Sequence, residues 1–141
     1  TLEPADARKF ELASIASSET VGIVYFLMRF KSPNEKIKTA VKQAVAWLQQ
    51  VKIVGFEYKD IDAPTLPKGK DRILIPNKNE SVWARFYDIK TGKPIFAGRD
   101  AQKHFQLAEI EHERRIGYGW YGTWPKKLLD KDFITWEKEV N

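Results

Sequence analysis

The sequence has 141 residues, enough for one ordinary domain, and its 24 Lys and Arg against 19 Asp and Glu give a formal net charge of +5. Hydrophobic residues at 43% and charged residues at 30% exclude intrinsic disorder and collagen-like or low-complexity chains. The absence of cysteine excludes disulfides, thiolate metal sites and a cysteine nucleophile. No apolar run reaches the roughly 18 residues of a membrane span, and no signal-peptide pattern opens the segment, so any export signal is expected outside it.

The first half of the sequence predicts two helices followed by a loop. Ser17 or Ser18 would start the first helix, and the apolar residues within 19–30 cover nearly all its faces, as in a helix packed on several sides. A capping box at residues 32–35 predicts the start of the second helix, whose apolar positions recur at helical spacing over residues 37–51. After Gly55 the prolines indicate an ordered loop or charged lid, in which only residues 73–75 could form a short strand.

The second half predicts a hairpin and two more helices. Residues 81–88 alternate between two faces and are followed by a turn and residues 94–97, which predicts a β-hairpin with Arg85 on its outer face between two rings. A third helix is predicted for residues 107–115, and a fourth from near Pro125 to the end of the sequence. No repeat or linker interrupts the chain. The expected fold is therefore a single domain over residues 1–141 that is mainly α with a small β-hairpin.

Aromatic residues are densest after two consecutive arginines, Arg114 and Arg115. Four rings occur within seven positions, and glycines separate them: Tyr118, Trp120, Tyr121 and Trp124. Glycine permits sharply folded backbone, so one interpretation is a loop that presents these rings to a ligand. The alternative is that the rings fill the gap between the third and fourth helices, because large aromatic side chains are most often buried.

Two arginines beside the predicted hairpin are candidate anion-binding residues. Arg85 and Arg99 flank the hairpin, and the planar guanidinium group binds carboxylates through two parallel hydrogen bonds. The alternative is that both are solvated charges, with Asp88 and Asp100 as their partners. The glutamates of residues 109–113 are interpreted as a solvated helix face paired with the arginines that follow them.

The two histidines, His104 and His112, are interpreted as surface or packing residues, because no second ligand stands at metal-binding spacing. Nucleic-acid binding is not expected, since the basic residues alternate with acidic ones and form no stripe. No membrane partner is expected either.

Several strings occur in one order along nearly the whole chain: SSETVGIV (17–24), FLM (26–28), AVAWL (44–48), VWARFYD (82–88), AGRD (97–100), LAEIEHERR (107–115) and WYGTWP (120–125). Together they resemble polysaccharide lyase family 10, the pectate lyases. The resemblance covers about the C-terminal half of that family's catalytic domain. It implies half of an incomplete α/α toroid beside a wide groove, and cleavage of polygalacturonate by β-elimination.

The resemblance also implies roles for individual residues. By position, Arg85 and Arg99 match the family's substrate-binding arginines, and Arg8 matches its catalytic base, with the neighbouring Lys9 as a competitor. We expect the faces of three rings to contact sugar as well: Tyr118, Trp120 and Tyr121.

Two parts of the family's machinery are expected to be missing. Tyr25 stands where the family tends to have a basic residue. Family members use calcium held partly by aspartates of the upstream half, and Asp60 and Asp62 are a weak substitute for them. We therefore predict no metal-binding residue in this segment.

The expected function is a noncatalytic carbohydrate-binding module for pectic acid, that is, for polygalacturonate and its oligomers. Binding is expected to need no cofactor, and the net positive charge would assist capture of a polyanion. We expect fusion to a catalytic domain within a longer exported protein, and an extracellular or periplasmic location. The alternative is the C-terminal part of an active, calcium-dependent pectate lyase.

Overall fold

A computed structural model describes residues 3–8 and 10–141. Within this part of the chain the α-helices are Ser17–Met28 (α1), Glu35–Gln50 (α2), His112–Gly117 (α3) and Phe133–Val140 (α4). The strands are Ile15–Ala16 (β1), Ile53–Asp62 (β2), Lys70–Ala84 (β3), Phe86–Tyr87 (β4), Phe96–Ala97 (β5), Lys103–His104 (β6) and Tyr121–Gly122 (β7). Single 3₁₀ turns occur at Pro67–Gly69 and Leu107–Glu109, and a π-helical turn, Leu128–Asp132, leads into α4.

The first two helices begin close to where the sequence predicts. Helix α1 starts at Ser17, whose buried hydroxyl donates a 2.6 Å hydrogen bond to the carbonyl of Ala84 and so fixes the helix against β3. Helix α2 begins one residue after Asn34, whose side chain accepts a 2.9 Å hydrogen bond from the Ile37 amide. The cap is thus Asn34, two residues beyond the serine of the predicted capping box, because an asparagine oxygen serves equally well as an N-cap.

Three helical segments and one strand share the larger hydrophobic core. Its buried members come from α1, α2, β3 and the C-terminal helical segment: Val21, Val24, Val41, Val45, Leu48, Trp83, Leu128, Leu129 and Trp136. Trp83 is 1% exposed and donates a 2.7 Å hydrogen bond from Nε1 to the Leu48 carbonyl near the end of α2. That bond satisfies one of the carbonyl groups that a helix end leaves unpaired.

The stretch after Gly55 is a long antiparallel hairpin, so the prediction of a loop or lid is wrong. Strands β2 and β3 pair from Ile53↔Val82 to Asp62↔Lys70, and a bulge separates Val54 from Phe56. Gly55 lies in that bulge with φ +88°, a conformation that favours glycine. Pro76 pairs at the edge of the bulge, where the ladder is already interrupted and a missing amide hydrogen costs little.

The expected fold class is also wrong. The hairpin of β2 and β3 is the largest paired unit of the described residues, and three small sheets stand beside four helices. Helix α1 packs on α2, but the described part of the chain forms no clear half toroid of helix pairs. The hairpin carries polar and charged side chains on exposed strands, so the sequence lacks the clear alternation that usually predicts a strand.

The predicted hairpin over residues 81–97 is present only in part. Its turn forms, since the Asp88 amide donates to the Lys93 carbonyl at 2.8 Å and the Ile95 amide to Phe86 at 3.0 Å. Residues 82–84, however, belong to β3, and Trp83 and Tyr87 are each 1% exposed. Arg85 therefore does not lie between two solvent-facing rings of a hairpin, as predicted.

The third predicted helix is shorter than expected, whereas the fourth is confirmed, because helical backbone is continuous from residue 126 to residue 140. The third is divided into a 3₁₀ turn and α3 by Ile110, which is extended and 3% exposed in the smaller core. That core also contains Phe86, Phe96 and Trp120, and it supports the loop that leads to β7. None of the helices in the described residues is both long enough and apolar enough to cross a membrane.

Candidate functional site

Three arginines line a cleft and an adjoining recess, which together we call the arginine groove, while a fourth, Arg85, lines neither space. The cleft has a volume of about 380 Å³ and is lined by Arg8, Phe10, Glu11, Arg114, Tyr118 and Trp120. The recess has a volume of about 260 Å³ and is lined by Arg99, Glu113, Arg114 and Gly117. Arg114 lines both, so the two spaces are neighbours along one surface. Arg85 lies behind Tyr118, which it contacts.

Arg8, the residue in the position of the family's base, is engaged by an internal carboxylate. Its Nε donates to Glu11 Oε2 at 2.9 Å, and its Nη2 contacts the other oxygen of the same carboxylate. This pairing raises the pKa of Arg8 above its ordinary value and lowers the pKa of Glu11. The guanidinium is therefore held in its charged form. Lys9, the competing candidate, lies outside the described residues.

Arg85 contacts two rings of the aromatic segment. Its guanidinium carbon is 5.0 Å from the Tyr118 ring centroid and 5.4 Å from that of Trp124. Its Nη2 is 3.6 Å from Glu19 of α1, while its buried Nε has no hydrogen-bond acceptor among the described residues. The partner predicted from the sequence, Asp88, is instead bound to Lys103 and Thr91.

Arg99 lines the recess and is bound by two glutamates near α3. Its side chain forms an ion pair with Glu113, and its backbone amide donates to both oxygens of Glu111 at 3.1 Å. The pairing raises the pKa of Arg99 and lowers that of Glu113. The predicted partner, Asp100, is bound to His104 at 2.8 Å. The glutamates near α3 thus hold Arg99, not the arginines that follow them in sequence.

Arg114 is the groove residue that sequence reasoning missed. Its guanidinium carbon lies 3.2 Å from the Phe10 ring centroid, a close cation–π contact. Within the described residues no carboxylate lies within ion-pair distance of it, and its buried Nε has no acceptor. Its neighbour Arg115, by contrast, is paired with Asp71 at 3.0 and 3.1 Å. No sequence pattern distinguishes these adjacent arginines, because their environments come from distant segments.

The aromatic segment contributes two of its three predicted rings to the groove. Tyr118 and Trp120 line the cleft, with their centroids 4.8 Å apart. Trp120 is 2% exposed and donates from Nε1 to the Arg114 carbonyl at 2.9 Å, so it forms the floor beneath that arginine. Tyr121 does not line the arginine groove. It packs on Tyr58 and Phe96, and burial raises its pKa.

The remaining implied parts of the family's site lie elsewhere. Tyr25 donates a 2.6 Å hydrogen bond to Asp132 and does not line the arginine groove. Asp60 accepts hydrogen bonds from Arg72 at 2.6 Å and from Lys70 at 3.3 Å, which occupy the oxygens that calcium would need. The described residues bring no three His, Asp or Glu side chains together as metal ligands, so they do not fit the calcium site that the resemblance implies.

Comparison with known proteins gives a consistent relationship. A family model described as pectic acid lyase matches residues 1–129. The structure is similar to a family 10 polysaccharide lyase from Cellvibrio cellulosa, with a TM-score of 0.80 and 29% identity over 95% of this chain and 40% of that one. A mutant of the Cellvibrio cellulosa enzyme, in complex with trigalacturonic acid, is similar with a TM-score of 0.78 and 31% identity, over 91% of this chain and 38% of that one. The chain thus spans about two fifths of these solved chains. A search of curated proteins gives no significant match.

Proposed function

The chain belongs to the pectic acid lyase family, and on that premise we propose that this segment binds pectic acid in the arginine groove without cleaving it. The observation that carries the proposal is the groove itself, where cationic side chains stand over an aromatic floor. Guanidinium groups bind carboxylates, and the partly exposed ring of Tyr118 can pack against the C–H surface of a sugar, whereas Trp120 is buried and only supports the groove from below. A polymer of galacturonate offers both surfaces at every residue. The trigalacturonic acid bound by a mutant of the Cellvibrio cellulosa lyase supports this ligand class.

Two observations support binding over cleavage. β-Elimination requires a base that removes the proton next to the uronate carboxylate. Arg8 is paired with the Glu11 carboxylate, which raises the pKa of its guanidinium and so opposes its use as a base. Tyr25 stands in place of the basic residue of the family and is bound to Asp132, so it adds no positive charge to the groove.

The second candidate is the C-terminal part of an active lyase, and it is favoured by the family membership and by the share of the solved chains that this segment covers. Under that alternative, Arg8 would be the base and further chain would supply the calcium ligands. We infer that the whole protein acts where pectic polymers are found, that is, outside the cell or in the periplasm. A fused catalytic domain would suit a binding module of this kind.

Native gel electrophoresis through polygalacturonate tests the proposal. We expect the wild-type chain to be retarded, and retardation to weaken as ionic strength rises, because the contacts are between opposite charges. Arg85→Ala and Arg99→Ala should each be retarded less than the wild type, whereas Arg29→Ala, which removes an arginine at the end of α1, should behave like the wild type. Unchanged retardation of both groove variants would contradict the assigned site.

A second assay separates binding from cleavage. The purified chain is incubated with polygalacturonate and calcium, and the ultraviolet absorbance of 4,5-unsaturated products is followed. We expect no turnover. Sustained product formation that Arg8→Ala abolishes would establish the lyase alternative.

A further inference from the structure

We propose that Arg114 is the primary carboxylate-binding residue of the arginine groove, an inference that rests on the proposed function. Its position is the first argument. Arg114 lines both the cleft and the adjoining recess, so a chain lying along the groove passes over it whichever end it enters from. The arginines that the sequence suggests for this role, Arg85 and Arg99, do not share this central position.

The other three arginines near the groove each have a glutamate beside them. Arg8 is paired with Glu11, Arg99 with Glu113, and Arg85 lies 3.6 Å from Glu19. A ligand carboxylate must displace or share these glutamates. Arg114 has no carboxylate within ion-pair distance in the part of the chain that the structure describes, and Glu113, which lines the same recess, is paired with Arg99. The charge of Arg114 is therefore the least directly compensated of the four.

The side chain of Arg114 is also held in place before any ligand binds. Contact with the Phe10 ring at 3.2 Å fixes the guanidinium, and the Trp120 indole holds the backbone of Arg114 from below. Ligand binding therefore carries a smaller entropic cost, because this long side chain is ordered already in the free protein. Nε of Arg114 is buried and lacks an acceptor, which is costly in a folded protein. A carboxylate that binds the guanidinium from the cleft adds the acidic partner that the described residues do not supply.

The test compares single variants by their dissociation constants for polygalacturonate, measured from mobility against polymer concentration in native gels. Arg114→Gln keeps a polar side chain of similar reach but removes the charge. We expect about a tenfold or greater loss of affinity, the effect of losing a charge-assisted hydrogen bond. Arg29→Gln, which changes net charge equally outside the groove, should stay within about twofold of the wild type. Circular dichroism and urea unfolding verify that each variant is folded.

Arg114→Lys provides the second variant. It retains the charge but lacks the planar fork, so we expect an intermediate loss if binding is bidentate. Fully methyl-esterified polygalacturonate provides a readout that a purely structural role would not move. Wild type should prefer the acid over the ester, and Arg114→Gln should lose most of that preference.

The outcomes separate the two proposals. If the wild type is retarded by polygalacturonate while Arg114→Gln and Arg114→Lys bind as tightly, the role of Arg114 is overturned and the proposed function stands. If the wild type is not retarded at all, the proposed function fails and the assignment of Arg114 fails with it. If Arg114→Gln is unfolded, the comparison of Arg114→Lys with the wild type decides the result.

Discussion

The hydroxyl of Tyr25 donates a 2.6 Å hydrogen bond to Asp132, a residue 107 positions later in the chain. It joins α1 to the π-helical turn that precedes α4, and burial together with Asp132 raises the pKa of Tyr25 to about 12. The tyrosine at this position thus has a structural partner in the C-terminal helical segment. It stabilises the contact between two helical segments of the larger core.

Removing this hydroxyl should cost stability and leave polysaccharide binding unchanged. We expect Tyr25→Phe to lower the free energy of unfolding by about 1 kcal/mol, the usual effect of one part-buried hydrogen bond. Urea unfolding of Tyr25→Phe, Asp132→Asn and the double variant forms a mutant cycle. Strictly additive losses in the double variant would show that the two groups do not interact.

A glycine pair in the aromatic segment offers a sharp test of how Arg85 is held. A Cβ added to Gly122 would lie 2.7 Å from the Trp124 ring, whereas one added to Gly119 would lie 3.9 Å from its nearest neighbours. Gly122→Ala should therefore displace Trp124 from Arg85, destabilise the fold by about 1–3 kcal/mol and weaken polygalacturonate binding. Gly119→Ala is the matched control and should stay within about 1 kcal/mol. Equal behaviour of the two variants in urea unfolding would contradict this account.

The acid sensitivity of the fold should depend on Asp88. This carboxylate is 3% exposed, and hydrogen bonds from Lys103 and Thr91 lower its pKa well below the ordinary range. A depressed pKa means that the stabilisation is complete above the unfolded pKa of about 3.9 and is lost as the pH falls toward the folded value. Asp88→Asn should therefore be less stable than the wild type at neutral pH, and the two urea midpoints should converge below about pH 3.9. A constant gap down to pH 2 would refute the assignment.

Of the two tryptophans near α2, Trp83 should contribute more to the free energy of unfolding than Trp47. Trp83→Phe removes the hydrogen bond to Leu48 and leaves a cavity, so we expect a loss of about 2–3 kcal/mol in urea unfolding. Trp47 is only partly buried and packs edge-on against Tyr87 at 5.3 Å. Trp47→Phe should cost about 1 kcal/mol or less. A larger loss for Trp47→Phe would reverse this order.

The helices of the larger core could be predicted from sequence because their signals are local. The asparagine cap and the apolar spacing of α2 depend only on neighbouring residues. The hairpin of β2 and β3 could not be predicted in the same way, because charged pairs such as Asp60 with Arg72 form across strands twelve positions apart. Read along the chain, these residues resemble a solvated loop.

The groove residues, too, could be predicted from the sequence only in part. The family resemblance identified Arg8, Arg85 and Arg99 by position, and the structure assigns each of them an acidic neighbour that sequence alone did not. The glutamates that precede Arg114 at helical spacing predict an ion pair on the helix surface. Glu111 and Glu113 instead bind Arg99. The ring of Phe10, from the N-terminal segment, packs against Arg114. Contacts between segments about a hundred residues apart decide which arginine is unpaired.

The internal glutamates have one further consequence. Each is tethered to its arginine by the fold, so it competes with a ligand carboxylate at an effective concentration on the order of millimolar. A single galacturonate in dilute solution cannot overcome that competition, whereas a polymer that is already anchored presents its next carboxylates at a comparable effective concentration. The length of the shortest pectic oligomer that binds therefore indicates how many internal glutamates must be replaced by ligand carboxylates at the same time. Because a monomer can replace only one, the groove favours polymer over monomer.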